Sequence, residues 1–402
     1  MRILFVKRSQ SYPRSSGHDV HAYHMMRSLS EWGATVCLLT EESVSEIAKE
    51  GLTLEWCGTY SELPPAQSGE SLTGLKERFR RYWGSDPEQA NQIGRLAQEL
   101  RIDAVVVATA GGLPLLCKVN HVVRVWYAAD EQMLHSWSLF NWRNPKTWKR
   151  FREGMTHGLY ERVFRDIVER VWLVSKKDAL FAKWGMGAKE CDVIPNGVDS
   201  EFFSPRTIDK RPKSCVFWGR LDFVPNLDAI RWFGKNVWLP IRASHPEAHW
   251  SVYGFSAGDE VREMQKEFGF DLKCDLPDLR SEVSSHQVVV LPFVSGAGVK
   301  NKLLEAAALG MPIIGSPTSL NGLEGDEIPV LVAHKPRMWQ KHLTELWGSH
   351  ETRVSIGNRT REWVVRYHSW SRSAKLALDG IEASLRKFGK QADATTYDSV
   401  QD

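Results

Sequence analysis

The chain has 402 residues, enough for two or three domains. Its 42% hydrophobic and 25% charged residues are those of an ordinary globular protein, and a formal charge of +3 excludes a global field of the kind that holds nucleic acid. No apolar run reaches the ~18 residues of a membrane-spanning helix, and the opening MRILFVKRSQ turns charged after five residues, too early for a secretory signal.

In chain order, near-continuously apolar bursts predict buried strands at RILFV (2–6), ATVCLLT (34–40), DAVVVAT (103–109), HVVRVWY (121–127), VWLVS (171–175) and CDVIP (191–195). Between the first two, Ala22, Met25, Met26 and Leu29 recur at helical spacing and Gly33 stops the pattern. The alternation restarts with SCVFWG (214–219), the helix-like NLDAIRWFGKNVW (226–238), HWSVYG (249–254), VVVLPF (288–293) and PIIG (312–315). Two runs of strand and helix predict two doubly wound α/β domains rather than one very large sheet. The join falls near IPNGVDSEFFSPRTIDKRPK (194–213), with a second near 366–372 before a last amphipathic helix and a polar tail from Lys390. The six cysteines are scattered without a CxxC pair, which fits small apolar residues in a reducing cytoplasm. The 17 tryptophans fit either aromatic-lined surfaces or core and edge packing.

Chemistry is concentrated at strand-to-helix turns. After VVVLPF, the small residues Ser295 to Gly298 lead into GVKNKLLEAAALG (298–310). Glycines admit a ligand close to the backbone, and a helix N-terminus offers amides and partial positive charge, so the turn suits a phosphate or pyrophosphate. Lys300 and Lys302 add full charges. Gly298, Asn301, Lys302 and Glu305 share one helix face, where Glu305 suits vicinal hydroxyls such as those of a ribose; an ordinary solvated face fits the same spacing. The loop SYPRSSGHDVHAY offers Gly17 after the first strand, although any tight turn there also uses a glycine. Arg220, just past FWG, suits a diphosphate, or else pairs with Asp222 at the surface. Asp130 and Glu131 follow a strand of the first domain, as site residues or as a helix cap with a first-turn acid.

Two basic-aromatic patches, LKERFRRYW (75–83) and FNWRNPKTWKRFR (140–152), suit an anionic interface, either lipid headgroups or a negatively charged acceptor. The other reading is solvated helix faces whose aromatics point into the core. No motif that reads DNA or RNA is present in the sequence.

Four ordered motifs carry a resemblance. RILFV with SGHDVHAYHMMRSLSEWGATVCLLT, then IPNGVDSEFFSP (194–205), FWGRLDFVPNLDAIRWF (217–233) and GVKNKLLEAAALGMPIIGSPTSLNGLEG (298–325) resemble the retaining GT-B glycosyltransferases of family 4, from residue 1 to about 375. The resemblance implies a GT-B fold of two Rossmann-like domains facing a central cleft. Residues 1–203 would bind the acceptor and 204–368 the nucleotide sugar; the helix 369–389 would pack back toward the first domain, and 390–402 would form a disordered tail. It implies sugar transfer from a nucleotide donor to a hydroxyl acceptor (a glycan, a lipid-linked glycan or a small molecule), with retention of configuration and without a catalytic metal or other cofactor.

Carried onto these residues, Glu305 binds the ribose, and the backbone from Gly298 through Val299, Lys300 and Asn301 to Lys302 holds diphosphate and sugar. Arg220 beside Gly219 neutralises phosphate charge, Gly17 approaches from the other domain, and Asn196-Gly197 lies at the hinge. Two departures stand out. Ala297 occupies the place of the first glutamate of an E-x7-E motif, and no lysine follows the GRL motif, so Lys300 or Lys302 is expected to supply that charge. Where many relatives have a histidine, this chain offers Asp130 as the catalytic candidate, with His135 nearby. Two alternatives go with this reading: a catalytically silent nucleotide-sugar-binding or partner protein, and a coupling enzyme or epimerase on the same fold.

Overall fold

The structure is a computed structural model. It describes the chain apart from residues 11–16, 50–53, 65–78, 80–86, 130–132, 134–135, 138–139, 141, 143–144, 297 and 399–402, and only the backbone of 17–18, 146, 186 and 389–398. The chain divides into two compact units, Met1–Pro195 with Trp370–Asp402, and Asn196–Ser369.

The first unit is built on seven parallel strands: β1 (Arg2–Val6), β2 (Thr35–Thr40), β3 (Cys57–Glu62), β4 (Ala104–Ala108), β5 (Val123–Ala129), β6 (Arg170–Leu173) and β7 (Cys191–Val193), in the order β3-β2-β1-β4-β5-β6-β7. Central β4 is buried at every position, as the unbroken apolar run AVVVA requires of a strand covered on both faces. Helix α1 (Gly17–Glu31) buries Ala22, Met25, Met26 and Leu29, and α2 (Trp148–Phe164) buries Tyr160 and Phe164. The C-terminal helix Trp370–Asp398 lies against α1: the Trp370 ring stacks on His24 at 5.4 Å, and Trp32 Nε1 donates to the Ser371 carbonyl at 3.0 Å. Further along, the buried Arg170 of β6 donates to Asp192 at 2.6 Å and to Ser384 of that helix at 3.1 Å.

The second unit has six parallel strands: β8 (Ser214–Arg220), β9 (His249–Phe255), β10 (Asp271–Cys274), β11 (Val288–Leu291), β12 (Ile313–Gly315) and β13 (Leu331–Val332), in the order β10-β9-β8-β11-β12-β13. Helices α3 (Val224–Phe233), α4 (Asn301–Ala308) and α5 (His350–Tyr367) are among those that cover it. Much of the tryptophan excess is spent in this core, where Phe233, Trp238, Trp250 and Trp339 make edge and tilted ring contacts at 5.0–5.8 Å.

Three strands, β3, β10 and β13, were not predicted from the sequence, and each is an edge strand. An edge strand has one flank in water, so its residues need not form an apolar run, and CGTYSE and DLKC do not. In both sheets the strand order reverses once, between β1 and β4 and between β8 and β11. The carboxyl ends of those strand pairs are where an open α/β sheet leaves a crevice.

Candidate functional site

In the second unit, β8 delivers Gly219 and Arg220 to the crevice, and β11 delivers the turn that opens α4. Gly219 has φ +149°, and a Cβ there would stand 2.5 Å from Lys302 Nζ, so only glycine leaves room for that side chain. Gly298, at φ +72°, takes the left-handed conformation that swings the chain into the helix. Lys302 Nζ donates to Asn226 Oδ1 at 2.8 Å and sits 4.6 and 5.0 Å from the ring centres of Phe217 and Phe293. The buried Asn226, in the first turn of α3, is itself fixed, because its Nδ2 donates to the Arg220 carbonyl at 2.7 Å. One turn along α4, Glu305 accepts from the indole of the buried Trp218 at 3.0 Å. Strands β8 and β11 and helices α3 and α4 thus converge on one lysine and one carboxylate.

Lys302 keeps part of its surface in solvent, yet its ammonium lies among two aromatic rings and the backbone of β8. Burial pulls its pKa down to about 7, the like charge of Lys300 adds to the fall, and Glu305 opposes it. The Glu305 carboxyl is pushed up by burial, against the hydrogen bond from Trp218 and the charge of Lys302. A doubly charged phosphate group brought here would restore the lysine's full charge.

The other predicted residues divide. Lys300 Nζ donates to the Gly296 and Gly298 carbonyls, each at 3.1 Å, so it braces the turn. The Asn301 side chain accepts from Asn196 at 2.8 Å, and Val299 packs against the core. The Asn196 carbonyl is met at 2.9 Å by the buried His368. Arg220 forms a two-pronged pair with Asp222 at 3.0 and 2.8 Å on the exposed surface. Ala297, Asp130 and His135 lie outside the described residues. Trp218 and Asn226 were missed as site residues; the available signal was a polar side chain amid the buried positions that open an apolar helix, and an indole at the last buried position of a strand.

In the first unit Gly17 is the first residue of α1. Beside it Lys7, past the end of β1, is buried and ion-paired with Asp19 of α1. His21 Nδ1 and the Tyr127 hydroxyl are 3.1 Å apart. Two residues at strand ends here have positive φ, Ala129 at 58° and Thr109 at 71°. With ψ 159°, Thr109 occupies a region essentially reserved for glycine, the kind of strain that collects at functional sites. Among the described residues no group of three or more His, Cys, Asp or Glu is placed to hold a metal ion, and no helix is long and apolar enough to cross a membrane.

Two parallel, doubly wound units in succession define the GT-B fold. Solved structures with that likeness include sucrose-phosphate synthase from Thermosynechococcus elongatus (TM-score 0.70, 14% identity, covering 96% of this chain and 99% of that one). TarM of S. aureus matches with a TM-score of 0.67 at 10% identity over 94% of this chain and 98% of its own. Anabaena Alr3699/HepE, solved in complex with UDP, matches with a TM-score of 0.64 at 11% identity over 95% and 100%. At such identities the likeness is one of fold. In sequence, residues 212–348, the heart of the second unit, match the family model described as Glycosyl transferases group 1. No curated protein matches the chain.

Proposed function

We propose that the protein is a glycosyltransferase that moves a sugar from a nucleoside-diphosphate donor to a hydroxyl acceptor with retention of configuration. The observation that carries the proposal is the Gly219–Asn226–Lys302 unit with Glu305 one turn along the same helix, at the point where the sheet order reverses. The family match over this region supports glycosyl transfer, and HepE, of the same fold, has been solved with UDP-glucose.

In this reading Glu305 accepts the ribose hydroxyls and the backbone of Gly298 to Lys302 faces the diphosphate. As the glycosidic bond to the departing diphosphate breaks, negative charge grows on its oxygens. Lys302 and the amides at the start of α4 stabilise that charge. The reading assigns this work to the protein and assigns no cofactor. Arg220 joins when it leaves Asp222 for phosphate. The incoming hydroxyl attacks the face that the nucleotide leaves, which preserves configuration, and passes its proton to an oxygen of the departing diphosphate. Gly17 and Asp130 belong to the acceptor side, and the acceptor is a glycan, a lipid-linked glycan or a small molecule. The free state of all six cysteines supports a cytoplasmic setting.

The test is thermal shift and donor turnover across a panel of nucleotide sugars. At saturation at least one donor should raise the melting temperature, since a ligand bound only to the folded state stabilises it. Glu305→Ala should remove that shift and turnover together while leaving the ligand-free protein folded. Stabilisation by no donor, or full turnover by Glu305→Ala, overturns the proposal.

A further inference from the structure

The aromatics of the second basic patch do not point into the core. Helix α2 buries Tyr160, Glu161 and Phe164 on one side, and the Trp137 ring covers its buried Gly154. On the other, Trp148, Phe151, Met155 and Leu159, spaced three and then four residues apart, are each between 47% and 60% exposed. Trp142, 69% exposed, precedes them, and its carbonyl accepts from Trp148 Nε1 at 3.2 Å. Phe151 stacks on Trp137 at 5.7 Å, so the N-terminal end of the stripe is a standing aromatic cluster. Water alone does not favour a contiguous aromatic and aliphatic stripe, and such a stripe on an exposed face marks a surface that something covers.

Charge identifies what covers it. The sequence from 140 to 152 holds five lysines and arginines and no acid. On α2 the exposed Lys149, Arg150 and Arg152 lie beside Glu153, which pairs with Arg150 at 2.9 Å and with Lys149 at 4.0 Å, while the helix's other acid, Glu161, is buried. A second copy brought face to face on this stripe would set these cations against their own kind. Tryptophans beside cations, with aliphatic side chains along the same line, match a headgroup layer above acyl chains. We propose that α2 is a docking surface for an anionic lipid membrane, lying in its interface with Trp148, Met155 and Leu159 inserted and Lys149 and Arg152 among the headgroups. The inference is independent of the sugar-transfer reading, since it rests on the first unit alone.

The experiment is co-sedimentation of the full chain with phosphatidylglycerol–phosphatidylcholine vesicles and with pure phosphatidylcholine vesicles, for three proteins: the wild type, Met155→Ser with Leu159→Ser, and Lys149→Glu with Arg152→Glu. The expected result is binding to the anionic vesicles, weaker by about tenfold on phosphatidylcholine and weaker by about tenfold in each double variant. Both variants alter exposed positions and should melt as the wild type does. No binding to anionic vesicles overturns the proposal, as does equal binding by either variant with wild-type melting. A dimer in sedimentation velocity that Met155→Ser with Leu159→Ser disperses would assign the stripe to a second copy instead.

Discussion

Lys302 enters the crevice between β8 and β11 because Gly219 lacks a side chain and Asn226 offers a fixed carbonyl. Its pKa of about 7 lies below the 10.5 of a free lysine, so the unfolded chain holds this proton more tightly. Its contribution to stability is therefore lowest below pH 7 and rises with pH between about 7 and 10.5. Lys302→Met should raise the melting temperature at pH 7 and remove that rise, as read by thermal melts across pH. Diphosphate binding should show the opposite sign. Bound phosphate raises the lysine's pKa, so affinity for a nucleoside diphosphate is greatest below about pH 7 and falls by up to about tenfold per pH unit above it. Calorimetric titrations of wild type and Lys302→Met across pH check this: the variant should bind more weakly and lose the lysine-linked fall above pH 7. The sequence left open whether Lys300 or Lys302 supplies the charge missing after the GRL motif, because both lie on the same turn. In the structure their surroundings differ, Lys300 bracing the turn and Lys302 reaching residues some eighty positions away, which no local pattern records.

At the scale of elements, the strands buried on both faces were legible because burial demands apolar runs, and those positions rise above any solvated background. The edge strands β3, β10 and β13 were not, since sheet pairing through the backbone holds them and asks little of their side chains. The glycine-opened turn and the helix that follows it, α4, were legible in GVKNKLLEAAALG. The two-pronged pairing of Arg220 with Asp222 was one of two readings, and the structure shows that pair. Between β6 and the C-terminal helix, the buried Arg170 joins Asp192 and Ser384. Removing one partner of such a pair leaves the other charge buried and uncompensated. Arg170→Met should therefore cost about 3 kcal/mol, read as a lower denaturant midpoint for the first unit.

At the scale of the molecule, the second unit is one continuous stretch of chain, while the first is assembled from the two ends of the sequence. The chain leaves the first unit after Pro195 and returns at Trp370, and the two crossings run side by side, with Val198 bridging to Ser369 and Ser373 donating to the Pro195 carbonyl at 2.6 Å. Residues 196–369 expressed alone should fold cooperatively, as circular dichroism and melting would show, and should bind the nucleoside diphosphate that the full chain binds. A chain ending at Ser369 should keep that binding but melt earlier in its first unit, having lost the stack of Trp370 on His24 and the Ser384 partner of Arg170.

The divided first unit also sets a timetable during synthesis. A ribosome releases the chain from its amino end, so the seven-stranded sheet emerges first but stays without its closing helix. The second unit then emerges whole and can fold as a unit while the first is still waiting. The exposed flank of α1 where Trp370 belongs is the surface at risk in that interval. The second unit is complete before the first, so the crevice between β8 and β11 exists before the unit that carries α2 is closed.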